Sequence, residues 1–233
     1  MNDYDDESLP LSVKELRARA AGIARRLEAE GETLSPVGAN GRSIARSFWG
    51  KAWCRNIESY QDYESRLPRG RSYLRNGTVI DLKILPGKVT ALVSGSELYH
   101  VEIRIDPVAP EHWVQLRKQC FGKIGSLVDL VEGKLSDPIV ELLCDRDSGL
   151  FPEPDEIHLN CDCPDWADLC KHLAAVLYGI GARLDDDPAL FFVLRGVDQS
   201  ELFSGDLGEN LPGAADDLDD LDDLADTFGI ELD

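Results

Sequence analysis

The sequence predicts an α+β fold in which an antiparallel sheet packs with helices, and three patterns support that class. Short β-branched alternations separated by turn residues occur within Arg71–Asp106, which is typical of an antiparallel meander of three or four strands. Apolar residues spaced three or four apart occur before and after that region, which indicates helices. A group of three cysteines and one histidine follows in Cys161–His172, and such a group is a candidate metal site.

The first predicted element is an amphipathic helix over Ser12–Glu30. Its apolar positions lie three or four apart, at Val13, Leu16, Ala20, Ile23 and Leu27. Ser12 is a capping residue, and Glu15 three positions later completes a capping box. The other side of this helix is basic. Gly31–Ser43 has the Gly, Pro, Ser and Asn content of a linker, so we expect a boundary near residue 40.

The sheet region and the helices after it are predicted from turn and capping residues. Pro86-Gly87 is a tight hairpin turn, and Asn76-Gly77 is expected to form another. Helices are expected within residues 109–124, 126–134 and 136–146, the last with Pro138 at its first helical position. Two further helices, within residues 171–184 and 187–196, have the alanine, leucine and phenylalanine content of buried core.

Charge is distributed very unevenly along the chain. The 233 residues carry a net charge of −20, of which Asp185–Asp233 contributes −15, with 16 acidic residues against one arginine. We expect the tail over residues 205–233 to be disordered. Arg42–Arg75 holds eight basic residues against three acidic ones. This basic window makes nucleic acid a candidate partner despite the acidic total.

Localisation is predicted from what the sequence lacks. No apolar run approaches the roughly 20 residues that a membrane-spanning helix needs, and the acidic start "MNDYDDESLP" has no secretory signal. We therefore expect a cytoplasmic protein without a membrane partner. In a reducing cytoplasm, closely spaced cysteines more often bind metal or carry out redox chemistry than form disulfides.

The cysteine cluster has the spacing Cys161-x-Cys163-x6-Cys170-x-His172. Three thiolates and one imidazole meet the needs of a tetrahedral zinc ion. The preceding residues "DEIHLN" are expected to form a strand, and Cys170 and His172 to lie at the start of the next helix. Because four protein ligands leave no open position for water or substrate, one structural Zn²⁺ is predicted.

The cluster has several other interpretations. A redox couple generally uses Cys-x-x-Cys spacing, which is absent. A cysteine nucleophile needs one thiol and a separate base. A zinc-dependent hydrolase needs a three-ligand site with bound water, and the remaining alternative is three cysteines buried by chance. The three other cysteines are interpreted as small buried hydrophobes and the other histidines as ordinary structural or surface residues: Cys54, Cys120, Cys144, His100, His112 and His158.

At these residues the chain resembles the SWIM-type zinc finger, whose signature is Cys-x-Cys, a variable spacer and Cys-x-His. With "RSFWGKAWCRNIESY", "DLKILPGKVTALVSGS" and "CPDWADLCKHLAAVLYGIG", residues 40–204 resemble bacterial SWIM proteins found alongside Swi/Snf-type helicase-like ATPases. The resemblance implies a C-terminal β-β-α zinc finger, a role in binding DNA or protein, and no established catalysis. The N-terminal helix and the acidic tail lie outside it.

The expected domain organisation follows from these boundaries. Residues 1–40 form the N-terminal helix and linker, 41–150 an α+β domain with the antiparallel sheet, 151–204 the finger with its closing helices, and 205–233 the tail. The predicted function is that of a non-enzymatic, zinc-binding adaptor that recognises protein or nucleic acid. A Swi/Snf-type helicase-like ATPase is the partner that the resemblance implies.

The alternative function is direct DNA binding by the basic window together with the finger. The candidate nucleic-acid-binding residues are Arg66, Arg69, Arg71, Arg75 and Lys171. In "LPRGRSYLRNG", Gly70 is also expected to present backbone N–H groups to a phosphate. The opposing interpretation is that Trp49 and Trp53 are core and that the arginines form a solvated face or pair with the chain's own acids. The tail is expected either to mask the window or to bind a protein partner.

Overall fold

A computed structural model describes residues 12–39, 41, 43–60, 66–121, 135–165 and 167–202. Its longer elements are helices α1 to α7 and strands β1 to β4. The helices are α1 (Val13–Ala29), α2 (Phe48–Glu58), α3 (Leu67–Arg75), α4 (Pro110–Phe121), α5 (Asp137–Leu143), α6 (Lys171–Asp186) and α7 (Leu190–Arg195). The strands are β1 (Val79–Leu85), β2 (Lys88–Ser94), β3 (Leu98–Ile105) and β4 (Ile157–Cys161). The predicted α+β class is confirmed.

The four strands form one antiparallel sheet in the order β1-β2-β3-β4. The first three are the predicted meander, and Pro86-Gly87 connects Leu85 directly to its partner Lys88. The fourth strand returns after α4 and α5 and pairs with β3, with Cys161 opposite Val101. The strand that leads into the cysteine cluster is therefore part of the main sheet. In the predicted β-β-α arrangement, β3 and β4 are the paired strands and α6 is the helix.

Asn76-Gly77 does not form a hairpin turn, so that prediction is wrong. Asn76 ends α3, and Gly77 has a φ of 67° and leads the chain into β1. The segment before it is helical because Leu67, Gly70 and Leu74 lie on one side of α3 and are buried. The turn thus connects a helix with a strand.

Helix α6 lies at the centre of the molecule. Twelve of its 16 residues are buried, as expected for a helix that is apolar on all sides. It contacts α2 and α3 as well as β1, β3 and β4. Helix α3 approaches it closely at Gly70, where a Cβ atom would lie 2.4 Å from the Cβ atom of Ala174. The helix that begins with the predicted zinc ligands is therefore also the main core helix.

One continuous hydrophobic core extends from Val37 to Leu202. It contains residues from both predicted segments, 41–150 and 151–204, and the division between them stays a prediction. Trp49 and Trp53 are buried in this core, and the Trp53 Nε1–H donates to the Leu177 carbonyl oxygen at 2.8 Å. These two tryptophans of the basic window are therefore core residues, as the interpretation opposed to nucleic-acid binding predicts.

Helix α1 packs outside the core, on β1 and β2, through the buried residues Leu16 and Ala20. The capping box of Ser12 and Glu15 is formed as predicted. The predicted helix within residues 126–134 and the acidic tail lie outside the described residues. Among the described helices, none is long and apolar enough to cross a membrane.

Candidate metal centre

The three cysteines and the histidine converge at the junction of β4 and α6. Cys161 is the last residue of β4, Cys163 follows in the loop, and Cys170 and His172 lie at the start of α6. One ligand atom from each of the four lies within 4.8 Å of all the others. Within the described part of the chain, this is the only such group of three or more metal-binding side chains.

The distances within the cluster fit a zinc ion. The His172 Nδ1 atom lies 3.9 Å from the Cys161 Sγ atom and 3.8 Å from the Cys170 Sγ atom. Tetrahedral zinc, with Zn–S of about 2.3 Å and Zn–N of about 2.0 Å, places sulfur and nitrogen ligands about 3.5 Å apart. The donors are soft or borderline, which matches the preference of zinc. The residues therefore fit the metal that their spacing predicts.

Two local features favour the thiolate form of Cys170. It is the N-cap of α6, and its Sγ atom accepts the Leu173 N–H at 3.4 Å, at the helix end where backbone N–H groups favour negative charge. A hydrogen bond from Cys161, supplemented by His172, holds the pKa of the Cys170 thiol well below its usual range. The same hydrogen bond, together with burial, raises the pKa of Cys161. The thiolate is the form that binds zinc.

The cysteines outside the cluster have a different environment. Burial raises the pKa of Cys54 to about 12 and that of Cys144 to about 12. Both pack against the core, and Cys120 is fully buried within it. With such high pKa values, Cys54 and Cys144 stay protonated at neutral pH. Because they pack against the core and Cys120 lies within it, the three residues act as small hydrophobes, as predicted.

Carboxylates next to the ligands fasten the loop between Cys161 and Cys170. The Asp162 carboxylate accepts the His100 backbone N–H at 2.9 Å. The Asp165 carboxylate accepts the Ala167 N–H at 3.3 Å and forms an ion pair with Arg66 at 3.2 Å. The finger loop is thus attached to β3 on one side and to the start of α3 on the other. Sequence spacing did not predict either contact.

The three histidines outside the cluster have local partners. His100 lies 3.0 Å from Asp162, and His158 lies 3.0 Å from Asp106. The His112 Nε2 atom lies 3.0 Å from the Gly149 carbonyl oxygen. None of the three belongs to the metal-binding group described above, so their interpretation as ordinary structural or surface residues holds.

The structure separates the arginines of the basic window. Arg71 pairs with Glu58 and donates to the Tyr178 hydroxyl at 2.8 Å, although 38% of its side chain is exposed. Arg66 is paired with Asp165, as described above, whereas Arg69 is exposed. Arg75 is exposed in the last turn of α3. Arg71 is therefore committed to internal contacts, and the nucleic-acid role of the other candidates stays a prediction.

The predicted role of the Gly70 backbone is wrong. Gly70 lies inside α3, and its N–H donates to the Arg66 carbonyl oxygen at 3.1 Å. Its other side packs against α6, so no backbone N–H is presented to a phosphate at this position. What α3 and the residue that caps its start do present is a stripe of side chains at helical spacing, Arg66, Arg69 and Tyr73.

That stripe lies beside the metal ligands. The Lys171 Nζ atom is 5.6 Å from the centre of the Tyr73 ring, and Lys171 stands between the ligands Cys170 and His172 in the sequence. The same Tyr73 ring meets the His172 ring edge-on, with centroids 5.5 Å apart. We call Arg66, Arg69, Tyr73 and Lys171 the finger-side surface.

The sequence does not predict the aromatic contact of His172 with β3. The Tyr99 ring stacks on the imidazole with centroids 4.2 Å apart, across 73 positions of sequence. The only local signal was the turn "SGSE" before β3, which predicts a hairpin but not its neighbour. Pairing of β3 with β4, which places Cys161 opposite Val101, brings this ring to the cluster.

The fold and the cluster define an α+β protein with a Cys₃His group arranged to hold a metal ion such as zinc. Residues 144–179, which contain all four ligands, match the family model described as SWIM zinc finger. The chain thus carries a SWIM zinc finger built into a larger core.

A curated relative extends the likeness beyond the finger. It is Uncharacterized protein Rv2102 of Mycobacterium tuberculosis (strain ATCC 25618 / H37Rv), 32% identical over 176 residues. The aligned region covers 74% of this chain and 63% of the relative, so the chain matches less than two thirds of that protein's length. No solved structure matches the chain significantly.

Proposed function

We propose that the protein is a non-enzymatic recognition module whose fold is stabilised by one structural zinc ion. The observation that carries this proposal is the complete set of four protein ligands within 4.8 Å of one another. A catalytic zinc normally keeps one position open for water or substrate. With three thiolates and an imidazole directed at one point, this site resembles the closed, structural type.

The four residues have separate roles in this proposal. Cys161 supplies a ligand from the end of the sheet, Cys163 from the loop, and Cys170 and His172 from the start of the core helix. Zinc supplies a cross-link among these segments, and structural zinc sites contribute on the order of 10 kcal/mol in small fingers. Among the described residues of the loop between Cys163 and Cys170, only Leu169 belongs to the core, so such a cross-link would add to the contacts of Asp165 that hold this loop.

A protein partner is the first ligand proposed for this module. The resemblance of residues 40–204 to bacterial SWIM proteins supports a Swi/Snf-type helicase-like ATPase, and the site itself supports only a stable scaffold. The test is co-expression of the full chain with the Swi/Snf-type ATPase from the same genome. Co-elution that is lost when Cys170→Ser removes the zinc site supports the partner, and separate elution of two folded proteins refutes it.

Direct nucleic-acid binding is the second candidate, and the finger-side surface favours it. It combines exposed Arg69 with half-buried Arg66, Lys171 and Tyr73. Cations beside an aromatic ring suit a phosphate backbone and an unstacked base. Asp165 partly neutralises Arg66, so Arg69 and Lys171 carry most of the proposal.

The experiment compares wild type with Arg69→Ala plus Lys171→Ala. Single-stranded and duplex DNA are titrated at several salt concentrations, because each lost phosphate contact lowers the slope of log affinity against log salt by about one. We expect the double variant to reduce that slope by about two. Lys118→Ala, at an exposed lysine on α4, is the control for charge. An unchanged slope in the double variant contradicts this surface.

The acidic tail, residues 205–233, is proposed to mask the basic residues. It lies outside the described residues, and the support for this role is its charge alone. Truncation after Phe203 is then expected to tighten DNA binding, most strongly at low salt. Equal affinities for the full chain and the truncated chain refute masking, and leave a protein partner as the proposed ligand of the tail.

A further inference from the structure

The imidazole of His172 is enclosed by side chains from outside its own helix. Tyr99 of β3 stacks on the ring with centroids 4.2 Å apart and an angle of 26° between planes. Tyr73 of α3 meets the ring edge-on at 5.5 Å and 68°. Only 1% of His172 is exposed. Two elements that are distant in sequence therefore fix the ring between them.

The turn between β2 and β3 closes a third side. A Cβ atom at Gly95 would lie 2.9 Å from the His172 Nε2 atom and 2.9 Å from the Tyr99 Cε2 atom. Both distances are shorter than carbon makes to any atom in ordinary van der Waals contact. Gly95 does not have a positive φ, so glycine is required here for space and not for backbone conformation. The turn is held by the Gly95 N–H, which donates to the Glu97 carbonyl oxygen at 2.7 Å.

The orientation of the ring is the one that metal binding requires. Nδ1 faces the sulfurs of Cys161 and Cys170 at 3.9 and 3.8 Å, whereas Nε2 is buried without a hydrogen-bond partner among the described residues. In most metal sites, the second ring nitrogen of a histidine ligand donates to a carboxylate or carbonyl, and this bond sets the ring orientation. Here the contacts that set it are aromatic and steric.

Tyr99 is itself held in place. Its hydroxyl and that of Ser96 lie 2.7 Å apart, within the same turn that contains Gly95. The backbone of Tyr99 is paired with Val93 in the sheet. The turn and the stacked ring therefore form one rigid support for His172.

We propose that Gly95, Tyr99 and Tyr73 are positioning residues that hold the His172 imidazole with Nδ1 directed at the three thiolates. The affinity of the finger for its metal then depends on the β2–β3 turn, which lies outside the finger's own sequence. This inference rests on the zinc site of the proposed function.

The first experiment uses the full chain with Gly95→Ala. Zinc affinity is measured by competition with a chromophoric chelator, and the ligand geometry by the visible absorption of the Co²⁺-substituted protein. We expect zinc affinity at least about tenfold weaker, in the range seen when the outer shell of a metal site is disrupted, and altered Co²⁺ bands. Gly22→Ala is the matched control, because nothing lies within 4 Å of a Cβ atom there.

A pair of tyrosine variants tests the same inference if Gly95→Ala does not fold. Tyr99→Phe keeps the stacked ring, so zinc affinity and Co²⁺ bands are expected to stay close to wild type. Tyr99→Leu removes the ring, and its zinc affinity is expected to fall about tenfold with far-ultraviolet circular dichroism unchanged.

Two results separate this inference from the proposed function. If wild type binds one zinc ion and both Tyr99→Leu and the folded Gly95→Ala keep its affinity and Co²⁺ spectrum, the positioning role is wrong while the metal site stands. If wild type binds no zinc, the metal site itself is wrong.

Discussion

Two features of the sequence are conspicuous, the Cys161–His172 cluster and the Arg42–Arg75 window. The fold brings the residues of the cluster together and separates those of the window. All four cluster residues converge within 4.8 Å. The window divides: Trp49 and Trp53 enter the core, Arg71 forms internal contacts, and Arg69 is exposed. Ligand spacing is a geometric constraint between neighbours in the chain, whereas charge density does not specify which way each side chain points.

The cause lies in the helices of the window. On α3, Leu67, Gly70 and Leu74 form the buried side, and Gly70 approaches Ala174 of α6. The other residues of α3 take positions around the rest of the helix according to its 3.6-residue period. Arg71 is adjacent to the buried side and reaches Glu58 and Tyr178. The basic window therefore contributes to stability as well as to surface charge, and single substitutions can separate these two contributions.

The largest effect is expected from Cys170→Ser. It removes both a zinc ligand and the thiolate that caps α6, so the loss of zinc affinity should exceed the roughly 100-fold upper range of outer-shell changes. Zinc content after dialysis is measured by atomic emission. Cys144→Ser is the matched control and should retain one zinc ion per chain. A tightly held zinc ion in Cys170→Ser would contradict the ligand assignment.

Trp53→Ala should have the next largest effect, on stability. Its indole is fully buried and donates to the Leu177 carbonyl oxygen, so truncation should lower the free energy of unfolding by about 3–5 kcal/mol. Urea denaturation of the zinc-loaded protein measures this loss. A loss below about 1 kcal/mol would mean that Trp53 is available to a ligand after all.

Arg71→Ala tests the difference between Arg71, which has partners within the chain, and exposed Arg69 on the same helix. The change removes a donor from Glu58 and from the Tyr178 hydroxyl, which keep the hydrogen bond between them, so it should cost about 1 kcal/mol of unfolding free energy. Arg69→Ala, two residues away and exposed, is the control and should stay within about 0.5 kcal/mol of wild type. Equal losses of unfolding free energy in the two variants would show that the contacts of Arg71 with Glu58 and Tyr178 add no stability.

The smallest effect is expected from Arg66→Ala. Its ion pair with Asp165 is partly exposed, and such pairs contribute about 0–1 kcal/mol. Thermal unfolding at low and high salt measures the difference, which should shrink as salt screens the pair. A loss of zinc from this variant would instead show that the pair holds the finger loop in place.

Local rules predicted a large part of this fold. The capping box of α1, the Pro86-Gly87 hairpin and the buried character of α6 each follow from residues close together in sequence. Asn76-Gly77 was placed wrongly because the same residue pair ends helices and forms hairpins. Only the packing of α3 on α6 distinguishes the two.

At the candidate site, too, the local features follow from the sequence and the long-range contacts do not. Its four ligands were predicted because zinc chemistry fixes residue type and spacing together. The surroundings of His172 were not, since Tyr73 and Tyr99 reach it through helix packing and strand pairing. Arg66 likewise meets Asp165 across 99 positions of sequence. Contacts between residues so far apart in the sequence are determined by the assembled fold and not by local sequence rules.

We propose that one zinc ion is held by four protein ligands, three of them sulfur. Zinc K-edge X-ray absorption of the full chain tests it directly. The prediction is three sulfur ligands at about 2.3 Å and one nitrogen at about 2.0 Å, with four-coordinate geometry. A spectrum that requires fewer than three sulfurs, or an additional oxygen ligand, would contradict the claim and return an open, catalytic type of site to consideration.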